Sequence, residues 1–436
     1  MTSNQDVVQD VAPQAATDVI VPTAEQLRWQ QLEVGMFFHF GINTFHAKEW
    51  SDGTLPASSF DPTDLDADEW VALAVAAGAR YVVLTAKHHD GFCLWPTATT
   101  DYSVASSPWR DGKGDVVAEV AAACRAAGIG LGLYLSPWDR NHPAYQDPEA
   151  YADVYVTQLT ELCTRYGPLV ELWFDGAGSE GYSYDWARIM EVARTHQPQA
   201  MVFNMGAPTI RWVGNEDGLA SDPVEYVVHH TQMSNYTIVT TEFAQALYLP
   251  PECDVSVRRG WFWAEDDEPK SLEHLLAIYY RSVGLGTNLL LNVPPDRRGR
   301  IDPADAAVVT AFGDELRARF GHPVATVLTR TGDATWHVDL GAEPVELDHV
   351  LVREDLTDGQ RVTRHEVRLD GTVVAGGGTV GAGRVHVVDA PATNELEIEL
   401  EGPGAGLAEV VVFRTGHRAA PAVPEGYSAP TDYPED

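Results

Sequence analysis

The sequence predicts an α/β protein: a (β/α)8-like TIM barrel followed by an antiparallel β-sandwich. Three observations carry this. Between residues 34 and 320 short apolar runs alternate with helical runs, the pattern of parallel strands joined by covering helices. Several of the apolar runs end in a polar residue, among them His39, Asp175 and Asn204, and a barrel places its chemistry at the carboxyl ends of its strands. After Gly321 the texture changes to short alternating runs split by Gly, Asp and Asn, which reads as a sandwich. An open doubly wound sheet is the alternative, but no GxGxxG follows the first strand to support it.

In order, residues 25–33 read as a short leading helix. Residues 35–41 are the first strand, ending at His39, and a polar, aromatic loop with Glu49 and Trp50 follows. Residues 65–77 have helical spacing, with Asp64 and Asp66 at the start and Gly78 as the stop. Residues 81–85 are the second strand and run into Lys87-His88-His89-Asp90-Gly91. A helix at 115–127 precedes a strand at 129–135, which carries Tyr134. A helix at 148–166 leads to the run that organises the chain, Leu169-Val170-Glu171-Leu172-Trp173-Phe174-Asp175-Gly176. It rises from a Gly167-Pro168 turn and ends in a carboxylate, as a buried parallel strand would. The alternative is that Asp175 caps the helix near 184–194, but several glycines separate the two.

A strand at 200–204 follows a helix at 184–196. Periodicity weakens from 208 to 263, with strand-like pieces at 236–240 and 255–257. Residues 271–282 form an amphipathic helix, 288–293 a buried strand, and 302–320 the closing helix, with Pro303 in its first turn. The sandwich strands are expected at 335–340, 364–369, 385–388, 396–400 and 410–413. The expected organisation is a disordered segment at 1–22, the barrel at 23–321, the sandwich at 322–416 and a Pro-rich tail at 417–436.

The chain has 436 residues, 44% hydrophobic and 21% charged, enough for one large domain and a smaller one. The formal net charge of −35 disfavours nucleic acid and anionic membranes as partners. A neutral substrate suits it better than a phosphorylated one. Cys93, Cys124, Cys163 and Cys253 form no CxxC pair and read as reduced core thiols. No run of about 18 apolar residues marks a membrane span. Residues 1–22 lack a basic start and an apolar signal core. The expected compartment is therefore cytoplasmic, or the exterior if a signal has been removed.

The strand-ending polar groups are His39, Glu49, His88, His89, Tyr134 and Asp175, with Glu216 farther on. A barrel brings such residues to one face. Two carboxyls among His, Tyr and Trp suit glycoside chemistry: one attacks the anomeric carbon and the other protonates the leaving oxygen. His and Tyr hydrogen-bond sugar hydroxyls, and Trp packs on the sugar's C–H patches. The rival reading is zinc held by His39, His88, His89 and Asp175. No HxH or HExxH spacing supports it, so neither metal nor cofactor is expected.

Lys87-His88-His89-Asp90-Gly91-Phe92-Cys93-Leu94-Trp95 resembles the signature of glycoside hydrolase family 29, the α-L-fucosidases. His39-Phe40-Gly41, Glu49-Trp50, Leu133-Tyr134, Leu172-Trp173-Phe174-Asp175 and residues 288–294 resemble further pieces of that family, in order, over roughly residues 26–320. The resemblance implies a retaining mechanism in which Asp175 forms a covalent fucosyl intermediate. It also implies that His39, Glu49, Trp50, His88, His89, Tyr134 and Trp173 hold the fucose. Retaining geometry places the two carboxyls about 5–5.5 Å apart.

Arg211-Trp212-Val213-Gly214-Asn215-Glu216-Asp217-Gly218 resembles the acid/base segment of the subfamily that cleaves α-1,3- and α-1,4-linked fucose, which implies Glu216 as proton donor. Gly214 and Gly218 let the loop fold close to the site, and the pKa of Glu216 should be raised. Glu225 and Glu242 compete for the role. The same resemblance implies Lewis-type branched substrates. Trp261 and Trp263 would then either contact the leaving saccharide or pack the seam between barrel and sandwich. A broad-specificity fucosidase, a metal-dependent barrel hydrolase and a non-catalytic sugar-binding protein are the alternatives.

Overall fold

The computed structural model describes residues 20–232, 240–324 and 327–429. The strand expected at 236–240 lies outside the described residues apart from Thr240. So do residues 1–19 of the expected disordered segment and 430–436 of the expected tail.

The chain begins with α1 (Ala24–Gln30), held by a capping box between Thr23 and Gln26. Then come β1 (Val34–Phe38), α2 (Ile42–His46), α3 (Ala67–Ala76), β2 (Tyr81–Lys87), α4 (Val116–Ala127), β3 (Gly130–Leu135), α5 (Pro148–Arg165) and β4 (Glu171–Trp173). They are followed by α6 (Trp186–His196), β5 (Met201–Phe203), β6 (Arg211–Trp212), β7 (Val227–Gln232), β8 (Thr240–Tyr248) and β9 (Pro251–Ser256). The run closes with α7 (Leu272–Arg281), β10 (Asn288–Asn292) and α8 (Pro303–Phe320).

Eight strands pair in parallel in the order β5-β4-β3-β2-β1-β10-β9-β6. A parallel bridge between Phe203 and Ile210 joins the two ends of this order, so the sheet closes as a barrel. β7 and β8 form an antiparallel hairpin inserted between β6 and β9.

Strand alternation sorts the core into two layers. Phe37, Tyr81, Val83, Tyr134, Trp173, Phe203, Trp212 and Leu290 fill the barrel interior. Phe38, Val82, Leu84, Leu133, Leu172 and Leu291 belong to the outer layer, which includes helix residues such as Trp70 and Leu159. At the end of β4 the parity reads Leu172 out, Trp173 in, Phe174 out, and so delivers Asp175 inward. Asp185, not Asp175, caps α6: its side chain accepts from the Arg188 N–H. This removes the capping alternative for Asp175.

After α8 the chain forms β11 (Val327–Arg330), β12 (Thr335–Asp339), β13 (His349–Glu354), β14 (Arg364–Leu369), β15 (Thr372–Gly377), β16 (Arg384–Val387), β17 (Glu395–Glu401) and β18 (Leu407–Phe413). They make two antiparallel sheets, β11-β12-β17-β14-β15 and β16-β13-β18, around a core that includes Val350, Val367, Ile398 and Val410. β11, β13 and β15 lie outside the runs expected from alternation. Ion pairs Arg353–Glu33 and Arg384–Asp222, each 2.6 Å, tie the β16-β13-β18 sheet to the barrel. All four cysteines are buried and unpaired with one another. No described helix is long and apolar enough to cross a membrane.

Candidate active site

A cavity of about 620 Å³ opens at the carboxyl ends of the barrel strands. His39, Trp50, His88, His89, Tyr134, Trp173, Asp175, Glu216 and Trp261 line it. These positions are scattered through more than half the chain.

Asp175 stands at its centre. The Tyr134 hydroxyl donates to Asp175 Oδ2 at 3.0 Å, and the Ala177 N–H donates to Oδ1 at 2.9 Å. His89 Nε2 lies 3.5 Å from Oδ2. Burial raises the pKa of this carboxyl, but the pull of His89 and the N–H and O–H donors outweigh it and hold it below its ordinary value. The side chain is 24% exposed, so an ionised carboxylate remains accessible from the cavity.

Glu216 shows the opposite balance. Burial first, and then the charge of Asp175, push its pKa up to about 8. Trp261 Nε1 offers it a long bond of 3.4 Å that only partly offsets this. Near neutral pH this pair therefore consists of one ionised carboxyl, Asp175, and one protonated, Glu216. Such a split is how two carboxyls come to act as base or nucleophile and as acid.

The paired histidines lie just past the end of β2, where strand alternation no longer applies. β2 shifts against β3 between Thr85 and Lys87, which reverses the facing of its last residue. Lys87 turns outward, donating to Asp139 Oδ2 at 3.0 Å, Tyr151 at 2.8 Å and Gln158 at 3.1 Å. His88 and His89 both reach the cavity. His88 stacks on Tyr134 with centroids 5.7 Å apart at 12°. Ser136 Oγ donates to the Trp138 carbonyl at 2.7 Å, so it accepts from His89 Nδ1, also at 2.7 Å. His39 Nδ1 bonds Asn292 Oδ1 at 3.0 Å; burial brings its pKa down to about 3, leaving a neutral ring.

Lys87 and Asp139 are almost wholly buried, and Asp139 Oδ1 also accepts from the Asn141 and His142 N–H groups. Gly91, at φ +86°, gives Asp139 room, since a Cβ there would meet Asp139 Oδ1 at 2.4 Å. Lys87→Met would leave a buried carboxylate without its cation. It is expected to lower unfolding free energy by about 3–5 kcal/mol, read by urea denaturation. An unchanged midpoint would show that Asp139 needs no countercharge.

Trp173 forms the floor. It stacks on Phe203 at 3.9 Å and 12° and donates Nε1–H to Glu252 Oε2 at 3.0 Å. Trp50 meets His89 edge-on at 5.4 Å.

Two expected contact residues do not line the cavity. Glu49 sits behind it, accepting from the Trp261 and Phe262 N–H groups at 2.8 and 3.3 Å. Burial raises its pKa to about 7, partly offset by those donors. It shapes the wall by holding Trp261. Trp263 donates to Asp302 at 3.2 Å, with the Arg258 and Arg297 guanidinium groups 5.9 and 5.8 Å from its ring centre. Of the competitors to Glu216, Glu225 and Glu242 are both exposed, and neither lines the cavity.

The cavity also includes the strand-ending Asn204 and residues that sequence reasoning did not single out: Phe37, Phe203, Trp212 and Asp254. Asp254 accepts from Trp212 Nε1 at 2.7 Å. Burial and then the charge of Glu216 raise its pKa well above the usual carboxylate value. Strand alternation through 251–257 is the signal that could have found it.

The four side chains of the zinc reading, His39, His88, His89 and Asp175, do come together. Among the described residues, however, no group of three or more His, Cys, Asp or Glu is arranged to hold a metal ion.

Fold and site together define a class: a parallel (β/α)8-like barrel whose strand ends carry, in one pocket, an ionised and a protonated carboxyl of the kind glycoside hydrolases pair. The family model for alpha-L-fucosidase matches residues 49–319, and the chain belongs to that family. It is 44% identical over 317 residues to alpha-L-fucosidase 1 of Arabidopsis thaliana, covering 70% of this chain and 62% of that protein. The chain thus spans just under two thirds of the length of the first curated relatives it matches. The crystal structure of a glycoside hydrolase 29 family member from an unknown rumen bacterium superposes with a TM-score of 0.83 at 34% identity, covering 92% of this chain and 78% of that one. A Ruminococcus gnavus GH29 fucosidase solved in complex with fucose superposes with a TM-score of 0.80 at 29% identity, covering 93% and 97%.

Proposed function

We propose that the protein is a retaining exo-α-L-fucosidase that removes α-1,3/1,4-linked L-fucose from branched, Lewis-type oligosaccharides. The observation that carries this reading is the pairing, in one cavity, of an acidified Asp175 with a Glu216 held protonated to about pH 8. The family membership and the fucose complex of a relative support the choice of sugar.

In the first step Asp175 attacks the anomeric carbon. The bond to the leaving oxygen breaks as Glu216 gives that oxygen its proton. In the second, the Glu216 carboxylate takes a proton from water. The water oxygen then bonds the anomeric carbon and Asp175 departs, so two inversions give retention. His39, His88 and His89 offer hydrogen bonds to sugar hydroxyls, and Trp50, Trp173 and Trp261 offer faces or edges to its C–H groups. No Lys or Arg side chain lines this cavity to meet a phosphate, which favours a neutral sugar.

The linkage rests on the likeness of residues 211–218 to one subfamily. Its test compares a Lewis trisaccharide with α-1,2- and α-1,6-linked fucosides, following free fucose by mass spectrometry and its first-formed anomer by NMR. The branched substrate is expected to react at least about tenfold faster in kcat/KM, releasing α-fucose first. Equal rates on all linkages would establish the broad-specificity alternative, and β-fucose first would end the retaining mechanism.

A further inference from the structure

The loop that carries Glu216 has little structure of its own. It passes through Gly214 and Gly218, at φ +101° and +74°. Its internal bonds are local: the Asp217 N–H donates to Asn215 Oδ1 at 3.1 Å, and Asn215 Nδ2 donates to the Leu219 carbonyl at 2.9 Å. Its flanks are held by the Val213 and Ala220 N–H groups, which donate to the Glu252 and Arg281 carbonyls at 3.0 and 2.8 Å. Among the described residues, however, the Glu216 side chain has only the long 3.4 Å bond from Trp261, so its aim depends on what holds its neighbours.

The chain beyond the sandwich returns to this loop. Tyr427 sits edge-on against His274 of α7, with ring centroids 4.2 Å apart at 88°. Lys270 Nζ lies 5.6 Å from the Tyr427 ring centre and donates to the Ser256 and Arg258 carbonyls at 2.6 and 2.8 Å. From this anchorage the Tyr427 hydroxyl donates to the Asp217 carbonyl at 3.4 Å, and the Ala429 N–H donates to the Asp217 carboxylate. The Tyr427 N–H closes on the Pro424 carbonyl at 3.1 Å, forming the turn that presents these groups.

We propose that residues 424–429 are a strap that sets the aim of Glu216 by gripping its neighbour Asp217, which makes Tyr427 and Ala429 positioning residues for the proton donor. This rests on the reading of Glu216 given above. A proton donor must sit within hydrogen-bond reach of the leaving oxygen, and a displacement of about 1 Å can cost about a hundredfold in rate. A charge-assisted N–H bond to Asp217 is a strong restraint for so small a contact. It links a loop on the barrel rim to α7 on the barrel's outside, so the chain's last described residues bear on the chemistry without touching the substrate.

The test uses three variants of the full chain. Ala429→Pro removes the N–H, Tyr427→Ala removes the ring, and Tyr427→Phe keeps the ring and its contacts with His274 and Lys270. Each is assayed on a nitrophenyl α-L-fucoside, whose leaving group needs no proton, and on a phenyl α-L-fucoside, whose leaving group does. Glu216→Ala is the reference, and thermal melting checks the fold. Ala429→Pro and Tyr427→Ala should lose at least about tenfold in kcat/KM on the phenyl substrate and less than about twofold on the nitrophenyl one, with Tyr427→Phe, which gives up only the long hydroxyl bond to Asp217, losing less than Tyr427→Ala.

Equal losses on both substrates would reduce the strap to a stability element and overturn the proposal. So would wild-type ratios in both disruptive variants while Glu216→Ala discriminates between the substrates. If Glu216→Ala itself fails to discriminate, the assignment of Glu216 falls and the strap with it. Should Ala429→Pro melt early, Tyr427→Ala, a half-buried surface position, carries the same comparison.

Discussion

Asp175→Ala is expected to lower kcat by about 10⁴-fold or more on every fucoside, and sodium azide is expected to restore turnover with β-fucosyl azide as product. The reason lies in what the substitution leaves behind. Tyr134 O–H, Ala177 N–H and His89 converge on the carboxylate at 3.0, 2.9 and 3.5 Å, and they remain as an anion-binding pocket. Azide, small and negative, fits that vacated position and attacks from the face Asp175 used. One inversion in place of two then gives the β product. These partners face the cavity, so the fold should persist, and a thermal melt checks that. Full activity in the variant, or an α-azide, would end the assignment of Asp175.

Glu216→Ala should cost about 10²–10⁴-fold in kcat/KM on natural glycans while largely sparing kcat/KM on a nitrophenyl fucoside, whose leaving group departs unprotonated. The pH profile gives an independent reading. A general acid must carry its proton in the free enzyme, so kcat/KM of the native protein should fall as pH rises through about 8, the value to which burial and Asp175 push Glu216. The acidic limb follows Asp175, which must be ionised; its pKa lies below the ordinary carboxylate value, so that limb should lie at correspondingly low pH. In Glu216→Ala the alkaline limb should vanish and the acidic one remain. An alkaline limb that survives would transfer the role to another group, and the raised, cavity-lining Asp254 is then the residue to substitute next.

Much of the site is legible in the order of residues alone. Asp175 ends an apolar run with Trp173 two residues before it, and residues two apart on a strand share a face. Both therefore have to turn inward if the run is a barrel strand. His88 and His89 are harder. Strict alternation sends one of them outward, but β2 ends at Lys87, and the turn beyond it, which alternation does not describe, brings both to the cavity. Glu49 and Trp263 match or adjoin recognisable motifs, yet one supports the wall through two backbone N–H groups and the other turns to Asp302. A motif carries residue types in order; it does not say which side of a loop each will face. Trp212 escapes a reading by periodicity because its strand is two residues long, whereas Asp254 sits in an alternating run at 251–257 whose inward face is polar, the reverse of the usual pattern.

The amino-acid sequence by itself determined most of the alternation of strands and helices in the barrel, the acidic start of the helix after Asp66, and the inward facing of Asp175. Each depends on neighbours a few residues away. Only the tertiary structure decided that Glu216 keeps its proton, that Glu49 holds Trp261 in place, and that Tyr427 and Ala429 reach Asp217. Those outcomes depend on water removed and charges approached across the closed barrel, and distance in space is not written in distance along the chain.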